Sequence, residues 1–294
     1  MAAHDESHDR GLLHDLAILQ ARFPGPPRLE RRHALKVVGG AGLGLLLAAC
    51  GGSGSAPSAA TSSTTSTTVG GSTTTTAGTT ATTTATSPTE AVPEETAGPY
   101  PGDGSNGPDV LTQSGIVRRD IRSSFGSAGG TAVGVPLEIA LTVVDARSGD
   151  PLPGAAVYAW HCDRAGGYSL YSPGITDQNY LRGVQVAADD GTLGFTSVFP
   201  AAYSGRWPHV HFEVFADLAS ATTAGGRLVT SQLALPEDVC DAAYATEGYE
   251  QSARNMTRTP LESDMVFRDG WDLQMATVTG DVDRGLTAAL AFAV

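Results

Sequence analysis

The chain has 294 residues and a formal net charge of −13 at pH 7. Six of its 18 basic and five of its 31 acidic residues precede Cys50, so the part that follows carries a charge of −14. So acidic a segment repels phosphate backbones and anionic lipid headgroups, and we expect no nucleic acid among its partners.

The first 50 residues predict an export signal that ends in a lipid anchor. Arg31 and Arg32 form a twin-arginine pattern, and an apolar run at 37–49 follows it. This run is shorter than the ~20 residues that span a bilayer. It ends in Leu-Ala-Ala before Cys50, which resembles a bacterial lipobox with Cys50 as the lipidated residue. An ordinary signal peptide with a chance cysteine is the alternative. Either way we expect an exported protein, on the extracellular face of the membrane or secreted.

Residues 51–92 predict a disordered linker. They are almost entirely Thr, Ser, Ala and Gly. Such a segment cannot bury enough apolar surface to offset the entropy lost on ordering. The remaining residues, 93–294, suffice for one globular domain.

The sequence of that domain predicts an all-β fold. Short alternating runs rich in β-branched residues are separated by Gly, Pro and Asp turns. The pattern predicts strands at 137–144, 155–160, 193–198, 208–214 and 228–233, closing strands at 275–279 and 288–294, and one helix at 239–245. Strands at this spacing are typical of an antiparallel β-sandwich.

Two histidines and two tyrosines make a candidate metal site. His209 and His211 are two apart in a predicted strand, so both imidazoles point to the same face. Tyr203 stands six residues before His209, and Tyr168 lies 35 residues before Tyr203. A hydrogen-bonded histidine pair and two core aromatics are the alternative. Two tyrosinates with two imidazoles favour a hard trivalent ion, which would also hold both phenols deprotonated.

The residues around these four resemble the intradiol ring-cleavage dioxygenases. The resemblance runs over residues 96–235 and is carried by the opening TAGPY at 96–100, the runs 153–163, 167–169 and 180–185, the pair Asp190-Gly191, Phe195, Pro200, Tyr203, and the sequence RWPHVHF at 206–212.

This resemblance implies a non-haem Fe(III) enzyme. Tyr168, Tyr203, His209 and His211 would bind the iron, and Tyr203 would leave it to carry a proton when substrate binds. Arg206 would stabilise negative charge on the substrate, Gln232 would lie near the attacked ring, and Tyr100 would line the pocket. The implied substrates are a catechol-type aromatic and O2, and the product is a cis,cis-muconate-type diacid. The segment 204–208 between Tyr203 and His209 is shorter than in cytosolic relatives, which predicts a more open pocket.

Two other functions remain open from the residues alone. One is a surface β-sandwich that binds ligands without turnover, and the other is a zinc hydrolase, although zinc enzymes use His and carboxylate ligands. Cys162 and Cys240 are the two cysteines left after Cys50, and in an oxidising compartment we predict a disulfide between them. Two separate buried thiols are the alternative.

Overall fold

The computed structural model describes residues 88–223 and 225–294. The twin-arginine segment, Cys50 and the predicted linker up to residue 87 lie outside the described residues. Among the described residues, Ala91 pairs with Ala293 and the Val92 amide donates to the Ala293 carbonyl, so residues that the sequence assigned to the end of the linker contact the domain.

Two four-stranded sheets form the described part of the chain. In chain order the strands are β1 (Pro136–Val144), β2 (Ala156–Trp160), β3 (Arg182–Val186), β4 (Thr192–Val198), β5 (His209–Phe215), β6 (Arg227–Ala234), β7 (Thr277–Asp281) and β8 (Gly285–Ala293). The first sheet has the order β4-β1-β8-β7 and the second β3-β2-β5-β6. All neighbours are antiparallel except β1 and β8. The predicted all-β fold is confirmed, and β3 is a strand that the sequence pattern did not predict.

Alternation along the strands builds the core between the two sheets. One face of β1 and one face of β8 point into the core, and their buried side chains are Leu137, Ile139, Leu141, Val143, Leu286, Ala288, Leu290 and Phe292. From the opposite sheet, Phe212 packs against Phe292 with ring centroids 4.7 Å apart. Such aromatic pairs add about 0.5–1.5 kcal/mol beyond their buried area.

The second sheet is buried on both faces. Val210, Phe212 and Val214 of β5 face the core, so the alternate residues His209 and His211 point to the outer face. This outer face also carries Tyr158 and Trp160 of β2, and loop residues including Tyr168 and Tyr203 pack on it. Every residue of β5 is therefore buried although it belongs to a two-layer fold.

Short helices follow β5 and β6. They are α1 (Leu218–Thr222), α2 (Glu237–Tyr244) and α3 (Glu250–Met256), with 3-10 turns at Leu261–Ser263 and Phe267–Asp269. The helix predicted at 239–245 is confirmed and begins two residues earlier. The five residues of α1 and the seven of α3 are too few to show helical periodicity in a sequence. Over the described ranges, no helix has the length and apolar character needed to cross a bilayer.

The predicted disulfide is wrong in this structure. Cys162 and Cys240 are both free and buried. Each thiol contacts a different backbone carbonyl, Cys162 Sγ that of Ala201 at 3.5 Å and Cys240 Sγ that of Leu235 at 3.9 Å. The two cysteines also belong to different apolar clusters, on either side of the second sheet. An even number of cysteines gave no information on this separation.

Candidate metal centre

Strand β5 brings two imidazoles together on the outer face of the second sheet. The Nε2 atoms of His209 and His211 lie 3.1 Å apart. His209 Nδ1 lies 2.5 Å from the Trp207 carbonyl oxygen, which can accept a hydrogen bond from Nδ1 only if Nδ1 is protonated. His209 Nε2 therefore presents a lone pair towards the centre of the cluster. His211 is held flat against Trp160, with centroids 4.9 Å apart and rings within 5° of parallel.

Two loops add the phenols. The Oη atoms of Tyr168 and Tyr203 lie 3.5 and 3.4 Å from His209 Nε2. The Tyr168 amide donates to Ser172 Oγ at 2.9 Å, and the ring of Tyr168 packs on Tyr100 at a centroid distance of 4.8 Å. The two phenol oxygens and His211 Nε2 thus converge on His209 Nε2, which makes a set of four donor atoms. All four sequence-predicted ligands are in this cluster.

Burial sets the protonation of these groups. It raises the pKa of Tyr168 well above the ordinary value and that of Tyr203 to about 12. It lowers the pKa of His209 and of His211 well below the ordinary value, and in both cases Arg206 lowers it further. Neutral imidazole is the form that binds metals, and a bound cation would hold the buried phenols ionised. The donor set therefore fits a hard, highly charged metal ion.

Arg206 lies beside the cluster as predicted. Its NH1 is 3.3 Å from His209 Nε2, and its NH2 donates to Gln232 Oε1 at 2.5 Å. Its Nε donates to Asp264 Oδ2 at 2.9 Å, in an ion pair whose two side chains are 1% and 0% exposed. Burial lowers the pKa of Arg206, but Tyr203 and Asp264 oppose this, so the net change is upward. Sequence reasoning found Arg206 and Gln232 and missed Asp264.

The segment at 96–100 covers the cluster. Gln232 Nε2 donates to the Thr96 carbonyl at 2.9 Å, and Asn106 Nδ2 donates to the Pro99 carbonyl at 2.8 Å. Gly98 packs directly on His211, since a Cβ there would lie 3.3 Å from His211 Cε1. Tyr203, at 8% exposure, is the least buried of the four candidate ligands.

His161 does not join the cluster. Its Nδ1 contacts the Cys162 carbonyl at 2.7 Å and its Nε2 contacts Ser197 Oγ at 2.6 Å. The contact with Ser197 ties the end of β2 to β4 of the other sheet. Among the residues that the structure describes, no three His, Cys, Asp or Glu side chains converge into a metal site.

Comparison with known proteins agrees with this arrangement. A family model described as Dioxygenase matches residues 106–255, about half of the chain. The chain belongs to the intradiol ring-cleavage dioxygenase family. The match contains the four candidate ligands, Arg206 and Gln232. It ends before Asp264 and begins after the covering segment at 96–100.

Individual intradiol dioxygenases resemble it over shorter stretches. Chlorocatechol 1,2-dioxygenase of Rhodococcus opacus is 35% identical over 89 residues, which cover 24% of this chain and 35% of that protein. Catechol 1,2-dioxygenase of a Pseudomonas species is 41% identical over 56 residues, 19% of this chain and 18% of that protein. The chain thus matches about a third or less of these relatives' length. A solved intradiol ring-cleavage dioxygenase from Tetranychus urticae shares the fold, with a TM-score of 0.55, 24% identity and coverage of 69% of this chain and 94% of that one.

Proposed function

We propose that this protein is a non-haem Fe(III)-dependent intradiol dioxygenase acting on a catechol-type aromatic. One molecule of catechol and one of O2 would give a cis,cis-muconate-type diacid. The bond between the two hydroxylated carbons breaks, both oxygen atoms enter the product, and no organic cofactor is consumed. The observation that carries the proposal is the convergence of two phenols and two imidazoles around His209 Nε2, beside the buried Arg206.

The proposed iron ligands are Tyr168, Tyr203, His209 and His211. Hard phenolate oxygens with neutral imidazoles suit a trivalent ion better than a softer divalent one. When bound, Fe(III) would hold the catechol oxygens and make the ring reactive towards O2. The rest of the proposed mechanism belongs to the protein side chains.

Tyr203 is the group placed to move a proton. Its phenol prefers the protonated form strongly, since burial raises its pKa to about 12. It is also the most exposed of the four proposed ligands, so it would be the one that a substrate reaches first. A released Tyr203 Oη would then accept a proton from a catechol hydroxyl.

Arg206 and the covering segment supply a fixed, dry electrostatic environment. The guanidinium is held by Gln232 and Asp264 before any substrate arrives, so it needs no reorganisation to stabilise an oxyanion. Trp160 stacks on His211 and Tyr100 packs on Tyr168, so aromatic rings rather than water border these two proposed ligands. Exclusion of water strengthens each of these electrostatic contacts.

Isotope labelling tests the proposed reaction. Iron-loaded protein is given catechol under 18O2, and O2 uptake and product mass are measured together. We expect one O2 consumed per catechol and two labelled oxygens in a product split between the hydroxylated carbons. His211→Ala, which removes one proposed ligand, should abolish turnover. Catechol binding without O2 uptake by iron-loaded wild type would instead identify a binding module.

We also propose that the protein is exported and anchored through a lipid on Cys50. The support is the sequence pattern alone, a twin-arginine pair, a short apolar run and small residues before the cysteine. Because the sequence between Cys50 and residue 93 predicts a flexible linker, we expect the anchor and the active site to act independently.

A further inference from the structure

Asp264 is a fully buried carboxylate with four hydrogen-bond donors around it. Oδ2 accepts from Arg206 Nε at 2.9 Å and from the Trp207 amide at 2.6 Å. Oδ1 accepts from the amides of Val266 and Phe267 at 2.8 and 3.2 Å. The backbone amides fix the carboxylate in the turn between the two 3-10 segments. The carboxylate in turn fixes the arginine.

Arg206 is held from two sides as a result. Asp264 accepts a hydrogen bond from Nε, and Gln232 accepts one from NH2. The guanidinium carbon lies 5.9 Å from the centroid of the Phe267 ring. NH1 is left directed at His209 Nε2, 3.3 Å away. The arginine side chain is long and has several rotatable bonds. A guanidinium that is hydrogen-bonded through two of its nitrogens loses most of this conformational freedom. The direction of NH1 is therefore set by Asp264 and Gln232 together.

We propose that Asp264 is a positioning residue for catalysis, which orients Arg206 towards the cluster of four proposed iron ligands and balances its charge. The inference rests on the proposed function, since it concerns the oxyanion-stabilising role of Arg206. A buried cation without a partner carries a large desolvation cost, so the guanidinium keeps this place only with a buried anion beside it. The anion comes from a segment beyond the family-model match at 106–255.

A merely structural role is the competing explanation. The bonds from Trp207, Val266 and Phe267 could make Asp264 necessary for the local backbone alone. The two explanations differ in what happens once Arg206 is gone. A positioning role then has nothing left to act on, whereas a backbone role is unchanged.

A double-mutant cycle separates them. The proteins compared are wild type, Asp264→Asn, Arg206→Gln and the double variant. Asp281→Asn serves as the control. It also removes a carboxylate from an ion pair, but the pair of Asp281 with Arg284 lies on the surface and is exposed to solvent. Each protein is measured for iron content, visible absorption, kcat and KM with catechol, and the midpoint of urea unfolding.

We expect Asp264→Asn to lower kcat roughly 10–100-fold, the usual effect of losing a partner that orients an active group, with KM and iron content little changed. The double variant should be no slower than Arg206→Gln alone, and its urea midpoint should recover above that of Asp264→Asn. Asp281→Asn should match wild type.

Three results would overturn the inference. Rate losses that multiply in the double variant, or a double variant that no longer folds, would each place the role of Asp264 in the backbone. Turnover of Asp264→Asn at the wild-type rate would show that Asp264 does not position Arg206. An iron-loaded wild type without turnover is a separate result, which overturns the proposed function and this inference with it.

Discussion

Gly98 offers a test of how tightly the covering segment holds the proposed iron ligands. Its φ is +68°, and a Cβ there would lie 3.3 Å from His211 Cε1 and 3.7 Å from His211 Nε2. Carbon atoms in normal contact are ~3.5–4.0 Å apart. Gly98→Ala must therefore move either the segment or the imidazole. The segment is tied at Thr96 and Pro99, and the imidazole is backed by Trp160.

Gly126→Ala is the matched control. Gly126 has a φ of +71°, and a Cβ there meets nothing within 4 Å. Both variants carry the same backbone strain, about 1–2 kcal/mol for an L-residue in the left-handed region. Only Gly98→Ala also displaces a proposed iron ligand, and disturbing the support of a ligand costs roughly 10–100-fold in metal affinity or activity.

The assay combines urea unfolding with iron titration and turnover. We expect both alanine variants to lose similar stability and only Gly98→Ala to lose at least about tenfold in iron affinity or kcat. If Gly98→Ala binds iron and turns over like Gly126→Ala, the covering segment does not position His211 and the reasoning is refuted.

Three further predictions follow from other residues. Arg206→Ala should lower kcat on the order of 10²–10³-fold while the iron content and the colour remain. It should also destabilise the fold, because Asp264 is left buried without its partner. Unchanged turnover would show that another group stabilises the oxyanion. Burial and Asp103 raise the pKa of Glu213 to about 7, above its unfolded value of 4.5, so its stabilising contribution is present below pH 4.5 and is lost as pH rises through 7. Glu213→Gln should remove that loss, on the order of 3 kcal/mol, from urea unfolding compared at about pH 5 and pH 8, and parallel pH profiles would contradict it. Cys50→Ser should release the protein from membranes without changing ring cleavage, and wild type recovered wholly soluble with an unmodified Cys50 would remove the anchor proposal.

The sequence predicted the parts of the site that follow from local periodicity. His209 and His211 alternate with buried apolar residues, so their shared face could be derived from the strand pattern alone. Tyr168, Tyr203 and Arg206 lie in loops without periodicity. The chemistry of phenol and imidazole ligands suggested that the two tyrosines join the histidines, and the resemblance to a family specified that set and added Arg206. The structure brings all of them within hydrogen-bonding range of one atom.

Features set by long-range packing could not be predicted in this way. Strand β3 contains Gly183, which weakens a strand pattern, yet Ile121 packs so closely that a Cβ there would lie 2.5 Å from its Cγ2. The parallel pairing of β1 with β8 joins strands about 150 residues apart, and hydrophobic alternation carries no information on direction. Asp264 is one acid among 31, and nothing near it in the chain indicates a partner 58 residues away.

The visible spectrum of the iron-loaded protein tests the central claim most directly. Phenolate bound to Fe(III) absorbs visible light, so we predict a coloured protein with about one iron per chain, as one cluster of four ligands requires. Tyr168→Phe should shift or weaken the band. Tyr249→Phe should leave it unchanged, because Tyr249 is buried elsewhere and donates to the Phe199 carbonyl. A colourless protein that holds a full complement of iron, or a band unaffected by Tyr168→Phe, would contradict the proposed tyrosine-ligated centre.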